Sequence, residues 1–286
     1  MGVFLYHHHV SVCATKSRYA LEEKGVKWDG KTVSLRESEQ HTKEYLAMNP
    51  FGLVPVLIHD DKVIPESTVI NEYIDQAFEG PALRPTDPHK LAQMRVWTRM
   101  NDENVHAAAG VLTTSVAYRH VPAHGFQISN QIDPYKKSRK TASFQEGVEN
   151  PHFRTALART DMLLTHMEEA LGGKGPGRAL AGGGPDWLIG QFSLADIGFA
   201  PYIVRYDHLK LSFMWDDKPR VAAWYERLKK RPAFQRGIMD WFKEDISWTD
   251  LMQEQGLKVQ PRMREIVEEI RSKPYKPLTE KGVAAE

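Results

Sequence analysis

The stretch NPFGLVPVLIHDDKVIPEST, from Asn49 to Thr68, decides how the first part of this chain folds. Its apolar run ends at Ile58 and is followed by HDDK, four polar residues that are typical of a tight turn, and then by a second short apolar run. This pattern predicts a β-hairpin. Proline at the entry to the first strand favours a cis peptide bond between Val54 and Pro55.

The same stretch also suggests a ligand. A cis bond turns the backbone N–H and C=O of Val54 outward, where an extended peptide can pair with them as an added strand. The hydroxyl of Ser67 at a positive helix end suits a carboxylate, and the carboxylate of Glu66 suits an ammonium group. Either half alone is explained by a bounded strand or an ordinary helix cap. Together they fit glutathione, which carries both groups and a peptide between them.

The flanking residues alternate between strands and helices. Residues 3–6 and the more polar residues 26–33 read as strands, and residues 14–24 as a helix that ends at Gly25. From Ser67 onward, apolar residues recur at helical spacing. The resulting order of elements predicts a mixed four-stranded sheet with helices on both faces, which is an α/β domain.

The remainder of the chain has an all-helical pattern. A proline-rich stretch, GPALRPTDP, separates it from the sheet. We therefore predict an α/β domain in residues 1–80, a linker in residues 81–89 and an all-α domain with an extended C-terminal tail in residues 90–286. Residues 119–150 read as polar and irregular.

One short motif stands out in the helical part. In FSLADI, Ser193 can cap the helix that it opens, and Asp196, three residues on, can cap back. The motif predicts the start of a buried helix.

Composition excludes several classes of function. The net charge of +1, with 26% charged residues, suggests neither a nucleic acid nor an anionic membrane as a partner. No apolar run reaches about 18 residues, and the start lacks the plan of a signal peptide, so we expect no membrane span and a cytoplasmic location. The single cysteine excludes an internal disulfide framework and a zinc ribbon.

A second stretch, YHHHVSVCATKSR from Tyr6 to Arg18, concentrates reactive side chains before a predicted helix. We expect no metal site at its three histidines, because neighbours on an extended chain point to opposite sides and no second cluster completes a ligand set. The histidines either line the loop, where a flat aromatic substrate would stack, or lie on the surface without a role. The helix end just after Ser11 and Cys13 stabilises an anion, so this turn suits a thiolate.

These motifs resemble those of the glutathione transferase family. FGLVPVL is similar to its cis-proline strand, PEST to its glutamyl-recognition turn and FSLADI to the capped helix of its second domain. More narrowly, ESTVINEYIDQAF, LRPTDP and MRVWTRMNDE resemble the bacterial β-aryl etherases, which cleave lignin-derived dimers. The resemblance implies a thioredoxin-like first domain, glutathione as co-substrate, a small aromatic electrophile as substrate and a dimer, with a homodimer expected and a heterodimer open.

The resemblance also implies roles for individual residues. Glutathione would be held by His41, Val54, Pro55, Glu66 and Ser67, with His41 at the family position that contacts the glycyl carboxylate. The sulfur of glutathione would lie at the turn before the first helix, held as a thiolate by a serine, cysteine or tyrosine.

Two catalytic residues are candidates at that turn, and we favour Ser11 over Cys13 as the thiolate donor. Etherases tend to carry Asn-Ser where this chain has Cys13-Ala14. SVCATK instead resembles the Ser-x-Cys turn of glutathione-dependent reductive dehalogenases, whose cysteine forms a mixed disulfide. Cys13 also shares a helical stripe with Ala20 and Leu21, as a buried core thiol would. Both interpretations of Cys13 stay open.

The leading prediction is a transferase that cleaves β-aryl ethers of lignin-derived ketones by thiolate attack, with release of a phenol. The alternatives are a reductive dehalogenase or thiol-disulfide enzyme that uses Cys13, and a non-catalytic glutathione-binding subunit of a heterodimer.

Overall fold

A computed structural model describes residues 2–35, 37–121, 134–175, 180, 182–244 and 246–273. Its strands are β1 Val3–His7, β2 Asp29–Thr32, β3 Val56–His59 and β4 Lys62–Pro65. Its helices are α1 Val12–Lys24, α2 Lys43–Met48, α3 Ser67–Ala77, α4 Pro88–Met100, α5 His106–Val116, α6 Pro134–Glu146, α7 Pro151–Leu171, α8 Leu194–His208, α9 Pro219–Lys229, α10 Pro232–Phe234 and α11 Ile246–Ser272.

The four strands form one mixed sheet in the order β2-β1-β3-β4. The predicted hairpin is present as β3 and β4, and β3 also runs antiparallel to β1, with Leu5 opposite Leu57. On its other side β1 pairs in parallel with β2, where Leu5 faces Gly30. The predicted mixed four-stranded sheet is therefore confirmed.

Helices cover both faces of this sheet. Leu5 and Leu57 are fully buried in the core that they share with α1 and α3. On the opposite face, Tyr45 of α2 packs with Val33 and Val56 in a second, smaller cluster. Alternation along the strands directs neighbouring side chains to these two cores, as expected for a sheet buried on both sides.

The capping motif in the helical part forms as predicted. Ser193 caps α8 and Asp196 caps back, which completes a capping box. The buried carboxylate of Asp196 also accepts hydrogen bonds from the Trp224 indole (2.8 Å) and the Leu188 N–H (3.2 Å). These bonds tie the start of α8 to α9 and to the loop before α8.

The expectation of an irregular segment in the helical part is wrong. Within the segment predicted to be irregular, residues 134–146 form α6; residues 122–133 lie outside the described part of the chain. In the region of the predicted C-terminal tail, Ile246–Ser272 form the single 27-residue helix α11; residues 274–286 lie outside the described part of the chain. In the sequence, many charged residues separate the apolar positions of α11. In the structure, Trp248, Met263 and Val267 are buried against the core. No helix among the described residues is long and apolar enough to span a bilayer.

The helical segment that follows the linker has an interruption. A π turn, Asn101–Val105, joins α4 to α5. Asn101 is buried, and its side chain donates a hydrogen bond of 2.7 Å to the carbonyl of Gly198 on α8. Such wide turns recur at functional sites, and this one directly precedes His106.

Candidate active site

A cavity of about 130 Å³ lies where the sheet domain meets the π turn and the start of α5. It brings together Cys13, Val54, Pro55, Glu66 and Ser67 from the residues singled out in the sequence. Ser11 and His41 are not among its lining residues. The full lining consists of Cys13, Asn49, Leu53, Val54, Pro55, Glu66, Ser67, Asp102 and His106.

One wall of the cavity is the turn before β3. The peptide bond between Val54 and Pro55 is cis, as predicted. The preceding carbonyl, of Leu53, accepts hydrogen bonds from the Tyr45 hydroxyl (2.8 Å) and the Asn49 side-chain amide (2.9 Å). These two bonds fix the backbone immediately before Val54.

The start of α3 forms a second wall. Glu66 has a φ of 70° and is exposed, whereas Ser67, the first residue of α3, is only 6% exposed. The positive φ lets the chain turn sharply from β4 into the helix, so that the first N–H groups of α3 and the Glu66 carboxylate lie together. An anion and a cation can therefore both be bound at this corner.

The third wall carries a thiol beside an imidazole. The Sγ atom of Cys13, in the first turn of α1, lies 3.6 Å from Nδ1 of His106, in the first turn of α5. The hydroxyl of Tyr202, on α8, lies 3.1 Å from the same nitrogen. Cys13 is half-buried and faces the cavity, so the interpretation as a buried core thiol is not supported.

Electrostatics make this thiol acidic. Burial alone would raise the pKa of Cys13, but the charges of His106 and Lys16, with hydrogen bonds from His106 and Ser67, lower the pKa to about 6. Reciprocally, the negative charge of Cys13 raises the pKa of His106. The two residues thus favour a thiolate–imidazolium pair near neutral pH.

Lys16 supplies a second positive charge behind the thiol. Its side chain is 1% exposed, and its ammonium lies 2.9 Å from a carboxylate oxygen of Asp102 and 3.3 Å from the Thr68 hydroxyl. Because Asp102 neutralises Lys16 at close range, His106 is the cation that directly adjoins the thiol.

Ser11 has a different local role. Its hydroxyl accepts a hydrogen bond of 3.3 Å from the N–H of Ala14, which makes it the N-cap of α1. A side chain committed to the helix end satisfies a backbone donor of the first turn. The structure therefore places Cys13, rather than Ser11, on the cavity.

His41 lies close to the cavity but outside its lining. It ends a short 3₁₀ turn, Glu39–His41, and is exposed. A Cβ atom at Gly52 would lie only 2.7 Å from Cδ2 of the His41 ring, so the ring packs directly on the chain next to Leu53.

The histidine run is mostly buried: His7 and His8 are 1% and 5% exposed, so the alternative that the histidines lie on the surface is wrong for these two. Burial and the adjacent charge of Arg18 lower the pKa of His7 to about 3, so His7 is neutral in the fold. Among the described residues, no group of three or more histidine, cysteine, aspartate or glutamate side chains is placed to hold a metal ion.

Two buried arginines, whose role the sequence does not predict, hold the loop between β1 and α1. The Arg18 guanidinium, 0% exposed, donates to the carbonyls of His8 (3.1 Å) and His9 (3.0 Å). Arg205 of α8 donates to the next carbonyl, that of Val10. Three consecutive carbonyls are thus fixed directly before the turn that carries Cys13. The hydrophobic pattern of the sequence does not reveal these contacts, because both arginines look like ordinary charged residues on a helix.

Comparison with known proteins assigns both halves of the chain to one family. The model of the glutathione S-transferase N-terminal domain matches residues 1–76, and that of the C-terminal domain matches residues 145–227. In sequence, the chain is 29% identical to protein LigF of Sphingobium sp. strain SYK-6 over 86% of this chain and 96% of LigF. It is 30% identical to glutathione S-transferase 1 of Dianthus caryophyllus over 70% of this chain and 75% of that protein.

Solved structures agree with this assignment. The crystal structure of the beta-etherase LigF superposes with a TM-score of 0.68 and 26% identity, covering 86% of this chain and all of LigF. A theta class glutathione S-transferase from Xanthomonas axonopodis pv. citri, 22% identical, shares the fold with a TM-score of 0.54 over 83% of this chain and 97% of that one. With both of its domains matched, the chain belongs to the glutathione S-transferase family.

Proposed function

We propose that this protein uses glutathione to cleave the β-aryl ether bond of lignin-derived aromatic ketones. Glutathione is the co-substrate of the family to which the chain belongs. The choice of electrophile is supported by the similarity to LigF, which extends over nearly the whole of that beta-etherase in sequence and in structure.

The cavity residues suit the parts of glutathione. The γ-glutamyl carboxylate would bind at Ser67 and the first N–H groups of α3, and the ammonium group would face the carboxylates of Glu66 and Asp102. The cysteinyl peptide would pair with the backbone of Val54 as an added strand. This arrangement brings the sulfur toward Cys13 at the positive end of α1.

The reaction follows from that position. The glutathione thiolate attacks the carbon that carries the aryloxy group, next to the ketone. A C–S bond forms, the C–O bond breaks, and its electron pair leaves with the phenolate, which then takes a proton. A pre-ionised nucleophile and a substrate held within attack distance both lower the barrier.

One observation carries the proposal: the cis-proline turn at Val54, the charged corner at Glu66 and Ser67, and the acidic thiol of Cys13 line a single cavity. The test is phenol release from a racemic β-aryl ether ketone by the purified protein, with and without glutathione, analysed on a chiral column. We expect phenol and a glutathione thioether only when glutathione is present. Absence of both products with a dimeric, glutathione-binding protein would refute the proposal.

A second candidate function is glutathione-dependent thiol-disulfide exchange, favoured by the position and acidity of Cys13. The Cys13 thiolate would attack a glutathione mixed disulfide, form a disulfide with glutathione and release the other thiol. A second glutathione would then attack this disulfide, which releases glutathione disulfide and restores the Cys13 thiolate. The test is an assay of the reduction of a small glutathione mixed disulfide, with mass spectrometry to detect the disulfide between Cys13 and glutathione. We expect Cys13→Ser to abolish it and the neighbouring Ser11→Ala to leave it intact.

The assembly stays a prediction. We propose a homodimer that packs the first domain of one chain on the helices of the other, as the family resemblance implies. Light scattering on the purified chain would measure its mass. A monomer that becomes active only when mixed with a second transferase chain would instead support the heterodimer subunit.

A further inference from the structure

We propose that His106 is the positioning residue that keeps Cys13 ionised, so that Cys13 can take the proton from the thiol of bound glutathione. This inference deepens the proposed function and rests on it for the identity of the incoming thiol. It assigns to α5, in the helical domain, a part in the chemistry of a site whose other residues come mainly from the sheet domain.

The imidazole is held for this role. Its Nδ1 atom lies 3.6 Å from Sγ of Cys13 and 3.1 Å from the hydroxyl of Tyr202. Tyr202 is fully buried in α8, so this hydroxyl is a fixed partner rather than a mobile one. His106 itself is exposed and lines the cavity, so its ring borders both the thiol and the space where the substrates would meet.

The surrounding charges leave His106 as the direct counter-ion. From α1, Lys16 faces the pair, but it is bound to Asp102 of the π turn at 2.9 Å. From the start of α3, Ser67 contributes a hydroxyl. From α8, Tyr202 contributes another, which stays protonated because burial raises the pKa of Tyr202 well above its ordinary value. Among the residues that the structure describes, protonated His106 is therefore the cation in direct contact with Sγ, and Lys16 acts on the thiol from farther away.

The proton steps balance. In the resting protein Cys13 is a thiolate and His106 an imidazolium. Glutathione gives its thiol proton to Sγ of Cys13. The resulting glutathione thiolate is then stabilised by the positive end of α1 and by the imidazolium. After the C–S bond forms and the C–O bond breaks, the phenolate takes from Cys13 the proton that came from glutathione. This restores the thiolate of Cys13 beside the imidazolium of His106, which serves as counter-ion throughout.

The test uses the fact that Cys13 is the only cysteine in the chain. Alkylation by iodoacetamide, followed against pH, reports the ionisation of this thiol without any ether substrate. We expect a midpoint near 6 in the parent protein and a rise of more than about one pH unit in His106→Gln, because the counter-ion is lost. His89→Gln, an exposed histidine on α4, is the matched control and should keep the parent midpoint.

A reciprocal measurement covers the case in which the His106 variant does not fold. In the parent, the His106 ring is titrated by NMR, and Cys13→Ser should lower its midpoint, because the thiolate that favours the imidazolium has been removed. Unchanged midpoints in folded His106→Gln and in Cys13→Ser would overturn the inference. Failure of ether cleavage alone, with both midpoints shifted as expected, would count against the proposed substrate and not against the pairing.

Discussion

Sγ of Cys13 and Nδ1 of His106 lie 3.6 Å apart although 93 positions separate the two residues in the chain. Cys13 belongs to the sheet domain and His106 to the helical domain. Their helices, α1 and α5, both pack against the buried helix α8, which also supplies Tyr202. The contact between thiol and imidazole is therefore built into the packing of the two domains.

Catalysis should depend on pH through Cys13 and His106. The pKa of Cys13 is lowered to about 6 and that of His106 is raised, so the thiolate–imidazolium form is present between the two values. We expect kcat/KM for ether cleavage to rise as the pH passes about 6 and to fall again when His106 loses its proton. A pH–rate profile without an acidic limb would contradict this.

Replacement of the thiol should impair the reaction itself. Cys13→Ser removes the ionised group beside glutathione, since a serine hydroxyl does not ionise near neutral pH. We expect kcat at neutral pH to fall at least about tenfold, while glutathione affinity stays within a factor of about two. Steady-state kinetics and calorimetry measure the two quantities. A variant with full kcat would remove Cys13 from the mechanism.

Replacement of Ser11 should instead affect stability. Ser11→Ala removes the cap of α1, whose hydroxyl accepts the Ala14 N–H at 3.3 Å. We expect the free energy of unfolding in urea to fall by about 1 kcal/mol, with the alkylation midpoint of Cys13 unchanged. Loss of ether cleavage in a folded Ser11→Ala protein would restore Ser11 as the thiolate donor.

Glutathione affinity should depend on Ser67. Its hydroxyl opens α3 at the charged corner of the cavity, where it would donate to the γ-glutamyl carboxylate. We expect Ser67→Ala to weaken glutathione binding about tenfold, because a hydrogen bond to a charged group is lost. Ser272→Ala, at the exposed end of α11, is the control. Equal dissociation constants in calorimetry would place glutathione elsewhere.

Acid should destabilise the protein through His7. The pKa of His7 is about 3 in the fold, against an ordinary value of 6.5, so below pH 6.5 the unfolded chain binds a proton that the folded chain rejects. Stability is therefore lost as the pH falls from 6.5 toward 3, and His7 should contribute a loss of about 2 kcal/mol between about pH 7 and 5.

Urea titrations at both pH values test this on the parent and on His7→Asn. The variant lacks the titrating ring beside Arg18, so its unfolding free energy should change less between the two conditions. An equal change in unfolding free energy between the two pH values in both proteins would show that groups other than His7 cause the acid sensitivity.

Local signals allowed the sheet domain and half of the cavity to be predicted. The Val54-Pro55 pair, the helix start at Glu66 and Ser67, and the capping box of α8 depend on neighbours within a few residues, which the sequence shows directly. The position of His106 depends on the π turn before it, and the hydrophobic pattern of that turn in the sequence is the same as that of an ordinary helix. Its role could not be inferred from periodicity alone.

The contacts of the buried arginines could not be predicted from the sequence either. Arg18 and Arg205 satisfy three consecutive carbonyls of one loop, but they belong to helices far apart in the chain. A charged residue in a helix usually predicts a solvent-exposed face. Only the folded structure shows that these two guanidinium groups replace the water that the loop carbonyls would otherwise bind.

The π turn has a consequence for how this site can be gained or lost. A π turn holds one residue more than the α-helical turn it replaces, and each residue of an α-helix advances the chain by about 100° around the axis. In an unbroken helix one inserted residue would rotate everything after it by that angle, whereas the wide turn Asn101–Val105 accommodates the extra residue, so that α4 and α5 both keep the faces that pack on α8. One inserted residue is thus enough, over evolutionary time, to add a new arrangement of side chains at the cavity without repacking the two helices.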